Sequence, residues 1–211
     1  MPRIMLYDEI GPGFYGLLDA KWMNDQLDKA AGADVELRIN SPGGSVFEAQ
    51  AMVTAIKGYR GKVTAYVDAL AASAASFVAI AAAEVVIAEN AMIMIHNAWG
   101  VAIGNAGDLR KRAELLDKID GQLVDQYAAK TGKDRKQIEE WMAAETWMTA
   151  AEAVDRGFAD RLIGAMPVKA SVRDGMYAHV PPQMAAGAAV SPRVAIAAQA
   201  RRLALARACN A

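Results

Sequence analysis

The chain has 211 residues, 54% of them apolar, and a net charge of −1. That length supports one domain with a sizeable core plus an appendage, and the apolar share excludes general disorder. The charge is uneven: beyond residue 164, six basic residues face Asp174 alone, so a basic tail follows an acidic body.

Residues 3–7 read as a first strand that follows Met1-Pro2 directly, with no cleavage pattern of a secretory leader. Asp19 is placed to cap a helix to about residue 31, with Trp22, Leu27 and Ala30–Ala31 toward the core. Val35, Leu37 and Ile39 alternate with Glu36 and Arg38, the period of a half-buried strand. Asn40-Ser41-Pro42-Gly43-Gly44-Ser45 is a sharp turn. Pro42 fixes one φ, and the two glycines permit positive φ and close backbone approach. Phe47 to Tyr59 reads as a helix and Lys62 to Val67 as a strand. A turn is expected at Asp68, and the alanine-rich run 69–83 reads as a buried core helix, too short to span a bilayer.

Two apolar runs follow, Glu84 to Ala88 and Ala91 to Ile95. Trp99 to Gly107 reads as a loop. A long helix from Asp108 carries Leu109, Leu116, Ile119, Leu123 and Tyr127 on one face and ends at Gly132. A further helix is expected over 134–144. Thr149 and Glu152 form a capping box for a short helix to Arg156, and Phe158 to Ile163 forms a last strand. Alternating strands and helices favour an α/β fold with helices covering sheets. The composition shifts at 165, which divides the chain into a body, 1–164, and an Ala/Arg-rich tail, 165–211. In that tail 165–190 reads as a linker and Ser191-Pro192 as the start of a helix to about Ala208. The lone Cys209 excludes an intrachain disulfide.

Ser73 opens the alanine-rich run, and His96 closes the apolar run Met92 to Ile95. A serine at the head of a buried helix and a histidine at the end of a buried strand suggest a nucleophile and its base. His96 is the only histidine of the body and the residue there suited to general-base work near neutral pH. Ser76, one turn later, is a rival nucleophile that lies deeper in the helix. An acid must hold the histidine. Glu145 is a candidate, and composition alone also offers Asp68, Asp108 and Asp160. The Gly43-Gly44 turn and Ala74 are candidate N–H donors for an oxyanion. There is no metal-ligand spacing, phosphate loop or dinucleotide fingerprint, so no cofactor is expected. The tail lacks aromatic residues after Tyr177, so no nucleic-acid partner is expected, and no membrane association either.

Ile39 to Ser45, Ala71-Ala72-Ser73-Ala74, Met92 to His96 and Thr149 to Gly157 together resemble, in order, the proteolytic subunit of the Clp protease. The resemblance runs from about residue 3 to residue 164. The wording around Ser73, His96-Asn97-Ala98-Trp99-Gly100 and Glu145-Thr146-Trp147-Met148-Thr149 is most similar to the branch encoded by tailed phages and prophages, the head-maturation proteases. The resemblance implies a crotonase-like fold of repeated ββα units and a Ser–His–acid triad of Ser73, His96 and Glu145. Glutamate stands where the family has aspartate. It implies oxyanion donors on Gly43-Gly44 and Ala74. It also implies stacked rings of identical subunits, and phage scaffold and capsid proteins as substrates inside a bacterial cytoplasm or an assembling prohead.

The chain lacks the leading segment of the cellular members, so docking to an ATP-driven unfoldase is not expected. The competing expectations are a catalytically silent ring subunit serving assembly and a crotonase-type acyl-CoA enzyme.

Overall fold

The computed structural model describes residues 1–11, 18–168, 170, 172 and 176–181. The chain divides into a body, Met1–Ala170, and a second unit, Ser171–Ala211. Cys209 and the helix expected from Ser191 fall outside the described residues, and the linker expected over 165–190 falls partly outside them. Met166 exchanges two hydrogen bonds of 2.9 Å with the Asn90 side chain.

The element order is β1 (Arg3–Leu6), α1 (Ala20–Ala30), β2 (Val35–Ser41), α2 (Val46–Gly58), β3 (Val63–Ala72), α3 (Ala74–Ala79), β4 (Glu84–Ala88), β5 (Met92–Ile95), α4 (Ala106–Thr131), α5 (Arg135–Ala143), β6 (Thr146–Thr149), α6 (Ala150–Asp155) and β7 (Arg161–Ile163). Strands β1, β2, β3, β4 and β7 lie side by side in parallel. Parallel pairing requires crossover connections, and the intervening helices supply them. The caps agree with the sequence. Asp19 accepts from the Trp22 N–H at 2.7 Å, and Thr149 and Glu152 form their capping box.

Strand β3 departs from expectation. No turn forms at Asp68; the strand continues to Ala72, and only Ala74–Ala79 of the alanine-rich run is helical. The reason is that β3 has two successive partners on one edge. Thr64 to Val67 pair with β4, and Leu70 to Ala72 pair with β5. Alanine's helix preference is weak against a strand buried on both faces with partners on both edges. Asp68 tolerates this position because Arg38 reaches it from β2: Arg38 Nε donates to Asp68 Oδ2 at 2.9 Å, a second guanidinium nitrogen bonds the other oxygen, and the guanidinium stacks on Tyr66. Tyr7 also donates to this carboxylate, and burial together with that bond pushes its phenol up to about 12.

Removing one partner of a buried ion pair strands the other charge. Asp68→Ala is therefore expected to lower unfolding free energy by about 3–5 kcal/mol in urea titrations. Lys62→Ala, which breaks the exposed pair with Glu84, is expected to change it by about 1 kcal/mol or less.

Candidate active site

The site forms where three strands end. Ala72 pairs with Met94 across β3 and β5, and the Ser73 N–H donates to the Met94 carbonyl at 2.9 Å. Two residues beyond Met94, His96 follows the end of β5 and stands beside Ser73. The Ser73 Oγ lies 2.7 Å from His96 Nε2. Strand β6 runs antiparallel to β5, with Ile95 opposite Thr146. Glu145 and His96 each lie one residue beyond that last pair, and the charge of Glu145 acts on the imidazole. Serine, histidine and glutamate are thus gathered at one end of the sheet.

Ser73 has φ 53° and ψ −125° at the turn from β3 into α3. Positive φ is uncommon for a side chain other than glycine and costs energy that the surroundings must offset. Ser73 is formally the N-cap of α3, yet its hydroxyl makes no capping bond. An ordinary capping serine turns its oxygen onto the helix N–H groups; this one turns it onto an imidazole. Glu145 also has positive φ, 49°, just after α5. The Trp147 indole donates to its Oε1 at 3.2 Å. Sequence reasoning missed Trp147. The signal was its position two residues after Glu145, close enough in the chain for the indole to reach the carboxylate.

Burial holds the His96 imidazole below its ordinary 6.5, and the negative charge of Glu145 pulls it part of the way back up. The ring is therefore neutral at pH 7, the form that can accept a proton. The other acids weighed from composition have different partners. Asp68 holds Arg38, Asp108 caps α4 through the Asn105 N–H, and Asp160 binds Lys130 and the Val85 N–H. Ser76 is fully buried; its hydroxyl donates to the Ser73 carbonyl at 2.7 Å and shares a hydrogen bond with Tyr127. It braces the turn and does not face the histidine.

The glycine turn packs directly on the serine. A Cβ on Gly43 would lie 2.6 Å from the Ala72 carbonyl and 2.9 Å from Ser73 Cβ. On Gly44 it would lie 2.0 Å from the Ile10 carbonyl. Ile10 clamps this turn by donating to the Gly43 carbonyl and accepting from the Ser45 N–H, both at 2.7 Å. The two glycine amides differ. The Gly43 N–H is committed to Ser41 Oγ at 3.1 Å, so this member of the expected oxyanion set is already occupied. The Ile10–Gly44 bridge uses the Gly43 carbonyl and the Ser45 N–H, so the Gly44 N–H takes no part in it. Gly44, Ser73, Ala74 and His96 all line one cavity of about 210 Å³. Its apolar wall includes Phe77 from α3 and Leu116, Ile119, Leu123 and Tyr127 from α4. Leu109, expected on the same face, is instead 45% exposed. The loop after His96 is tied to α4 by the Ala98 N–H, which donates to Asp120 at 2.6 Å. Among the described residues, no cluster of side chains could hold a metal ion and no helix is long and apolar enough to cross a membrane.

The pH dependence follows from these charges. Fluorophosphonate labelling of Ser73 is expected to fall on the acid side through a midpoint below 6.5, as His96 takes up a proton. Glu145→Gln removes the charge that raises the imidazole, so the acid limb should move to lower pH. The plateau rate should drop about a hundredfold or more as the ring loses its orienting carboxylate. An acid limb that stays in place would show that Glu145 does not act on His96.

Comparison with known proteins shows the family and the fold. The family model for Clp protease matches residues 4–166. The ATP-dependent Clp protease proteolytic subunit 1 of Protochlamydia amoebophila is 33% identical over 168 residues, 77% of this chain and 81% of the relative. The subunit of the same name from Chlamydia abortus is 38% identical over 63% of this chain and 71% of its own length. A solved structure of a ClpP1 mutant from Listeria monocytogenes superposes with a TM-score of 0.67 at 23% identity, covering 77% of this chain and 91% of that one, a likeness of fold. The chain belongs to the Clp protease family, a family of serine peptidases.

Proposed function

We propose that this protein is a serine endopeptidase in which Ser73 is the nucleophile, His96 the general base and acid, and Glu145 the group that orients the imidazole. The observation that carries the reading is the 2.7 Å approach of a hydroxyl that caps nothing to a neutral ring nitrogen. In the first half-reaction Ser73 Oγ attacks the peptide carbonyl carbon while its proton passes to His96 Nε2. The oxyanion is held by the amide N–H groups of Gly44 and Ala74, the second of which opens a helix whose dipole favours negative charge. Collapse expels the amine, which takes the proton from His96. Water then repeats the sequence on the acyl-enzyme and restores Ser73. No cofactor is needed for either half.

Within this activity we read the protein as a head-maturation protease that cuts scaffold and capsid proteins of a phage or prophage in the bacterial cytoplasm. The peptidase would occupy 1–164 and the basic segment 165–211 would be an accessory tail. The support is the wording around Ser73, His96 and Glu145. Self-association into stacked rings is supported by apolar side chains left exposed along α4 and the loop before it, among them Trp99, Val101, Ile103, Leu109 and Leu115. Large exposed apolar patches mark interaction surfaces. No ATP-driven partner enters this reading.

Intact mass after fluorophosphonate treatment should show one adduct on the wild type and on Ser76→Ala, and none on Ser73→Ala. Ser73→Ala should also lose peptide turnover by about 10⁴-fold or more. Co-expression with the scaffold and coat proteins of a tailed phage should yield Ser73-dependent fragments. An adduct without such fragments would retain the peptidase and remove the head-maturation role.

A further inference from the structure

The cavity beside Ser73 carries one charge that its apolar lining does not explain. The face of α4 that lines it runs through positions 112, 116, 119, 123 and 127, steps of three and four that keep one side of a helix in line. Leu116, Ile119, Leu123 and Tyr127 fill four of those positions. The fifth is Arg112.

Tyr127 closes the buried end of this stripe at 2% exposure, and Arg112 stands at its solvent end. No acidic residue lines the cavity. Among the described residues Arg112 forms no ion pair. Its guanidinium lies along the loop after His96, where a Cβ on Gly100 would stand 3.4 Å from Nη2. The guanidinium thus lies in van der Waals contact with the loop at the edge of the cavity. An arginine keeps its charge at any working pH and offers a planar fork of donors suited to a carboxylate.

We propose that Arg112 is a specificity-determining residue that favours peptides with an acidic side chain, glutamate above all, at the residue whose carbonyl Ser73 attacks. This inference rests on the peptidase reading above. The methylene stem of a glutamate packs against the apolar wall while its carboxylate meets the guanidinium. Glutamine presents the same shape without the charge, so it isolates the contribution of Arg112. Aspartate, one methylene shorter, reaches less far along the wall.

The test uses the full chain and two fluorogenic peptides that differ only by Glu or Gln at that residue. For the wild type, kcat/KM at low ionic strength should favour Glu about fivefold, the scale of a partly exposed ion pair, and added salt should shrink the ratio. Arg112→Gln should bring the ratio to about one, and Arg112→Glu should invert it. A wild-type ratio of one, or a ratio that survives in both variants, overturns the assignment. Fluorophosphonate titration of each preparation separates the two levels. Labelled Ser73 without discrimination overturns the role of Arg112 and leaves the peptidase standing. Absence of labelling in the wild type removes the peptidase reading and this inference with it.

Discussion

The hydrogen bond from the Ser73 amide to the Met94 carbonyl, at 2.9 Å, is the contact on which the active end of the sheet depends. It is the last bond of the β3–β5 pairing, and it holds the serine backbone in a conformation that an isolated peptide would avoid. The same register sets His96 two residues beyond Met94, within reach of the serine hydroxyl. Shifting β5 by one residue would turn its side chains to the other face. The acid depends on the next pairing, β5 with β6. Precision at the reacting atoms is therefore inherited from backbone ladders, which are far stiffer than surface side chains.

Behind those ladders the packing is tight. Ala71, Ala72, Ala75 and Ala79 are wholly buried, and their small side chains let β3 and α3 lie close to their neighbours. Larger groups fill the space between the helices. Phe77 meets Tyr127 edge-on at 6.3 Å, and Tyr127, Phe158 and Trp141 continue the contact from α4 to α5. Such aromatic pairs contribute about 0.5–1.5 kcal/mol each beyond burial. They also join the cavity wall to the core, so that the wall is part of the packed interior.

The sequence carried the candidate residues better than the path leading to them. Ser73, His96 and the glycine turn, which the structure brings together, stood out because each lay at the edge of an apolar run. Glu145 could not be separated from three aspartates by composition; strand register and their separate partners distinguish them. The helix expected over 69–83 failed because alanine runs suit either helix or close-packed strand, and the choice was made by β5, whose pairing is non-local. Asp68 reads as a turn residue until Arg38 is seen to neutralise it from the neighbouring strand. The different states of the Gly43 and Gly44 amides hinge on Ser41 Oγ and Ile10, contacts that no local pattern encodes. Trp147 and Arg112 looked ordinary in the chain and gain meaning from what they face.

The connection between β5 and β6 has a consequence in time. Ser73 and His96 sit on consecutive units of the sheet, whereas Glu145 arrives only after α4 and α5, roughly 50 residues later. Closing so long a connection carries an entropic cost that local pairings avoid. On a ribosome adding about 5–20 residues per second, the acid emerges about 3–10 s after the histidine. The Ser73–His96 approach rests on the β3–β5 pairing, whereas Glu145 joins them only once α4 and α5 have been made and β6 has paired with β5.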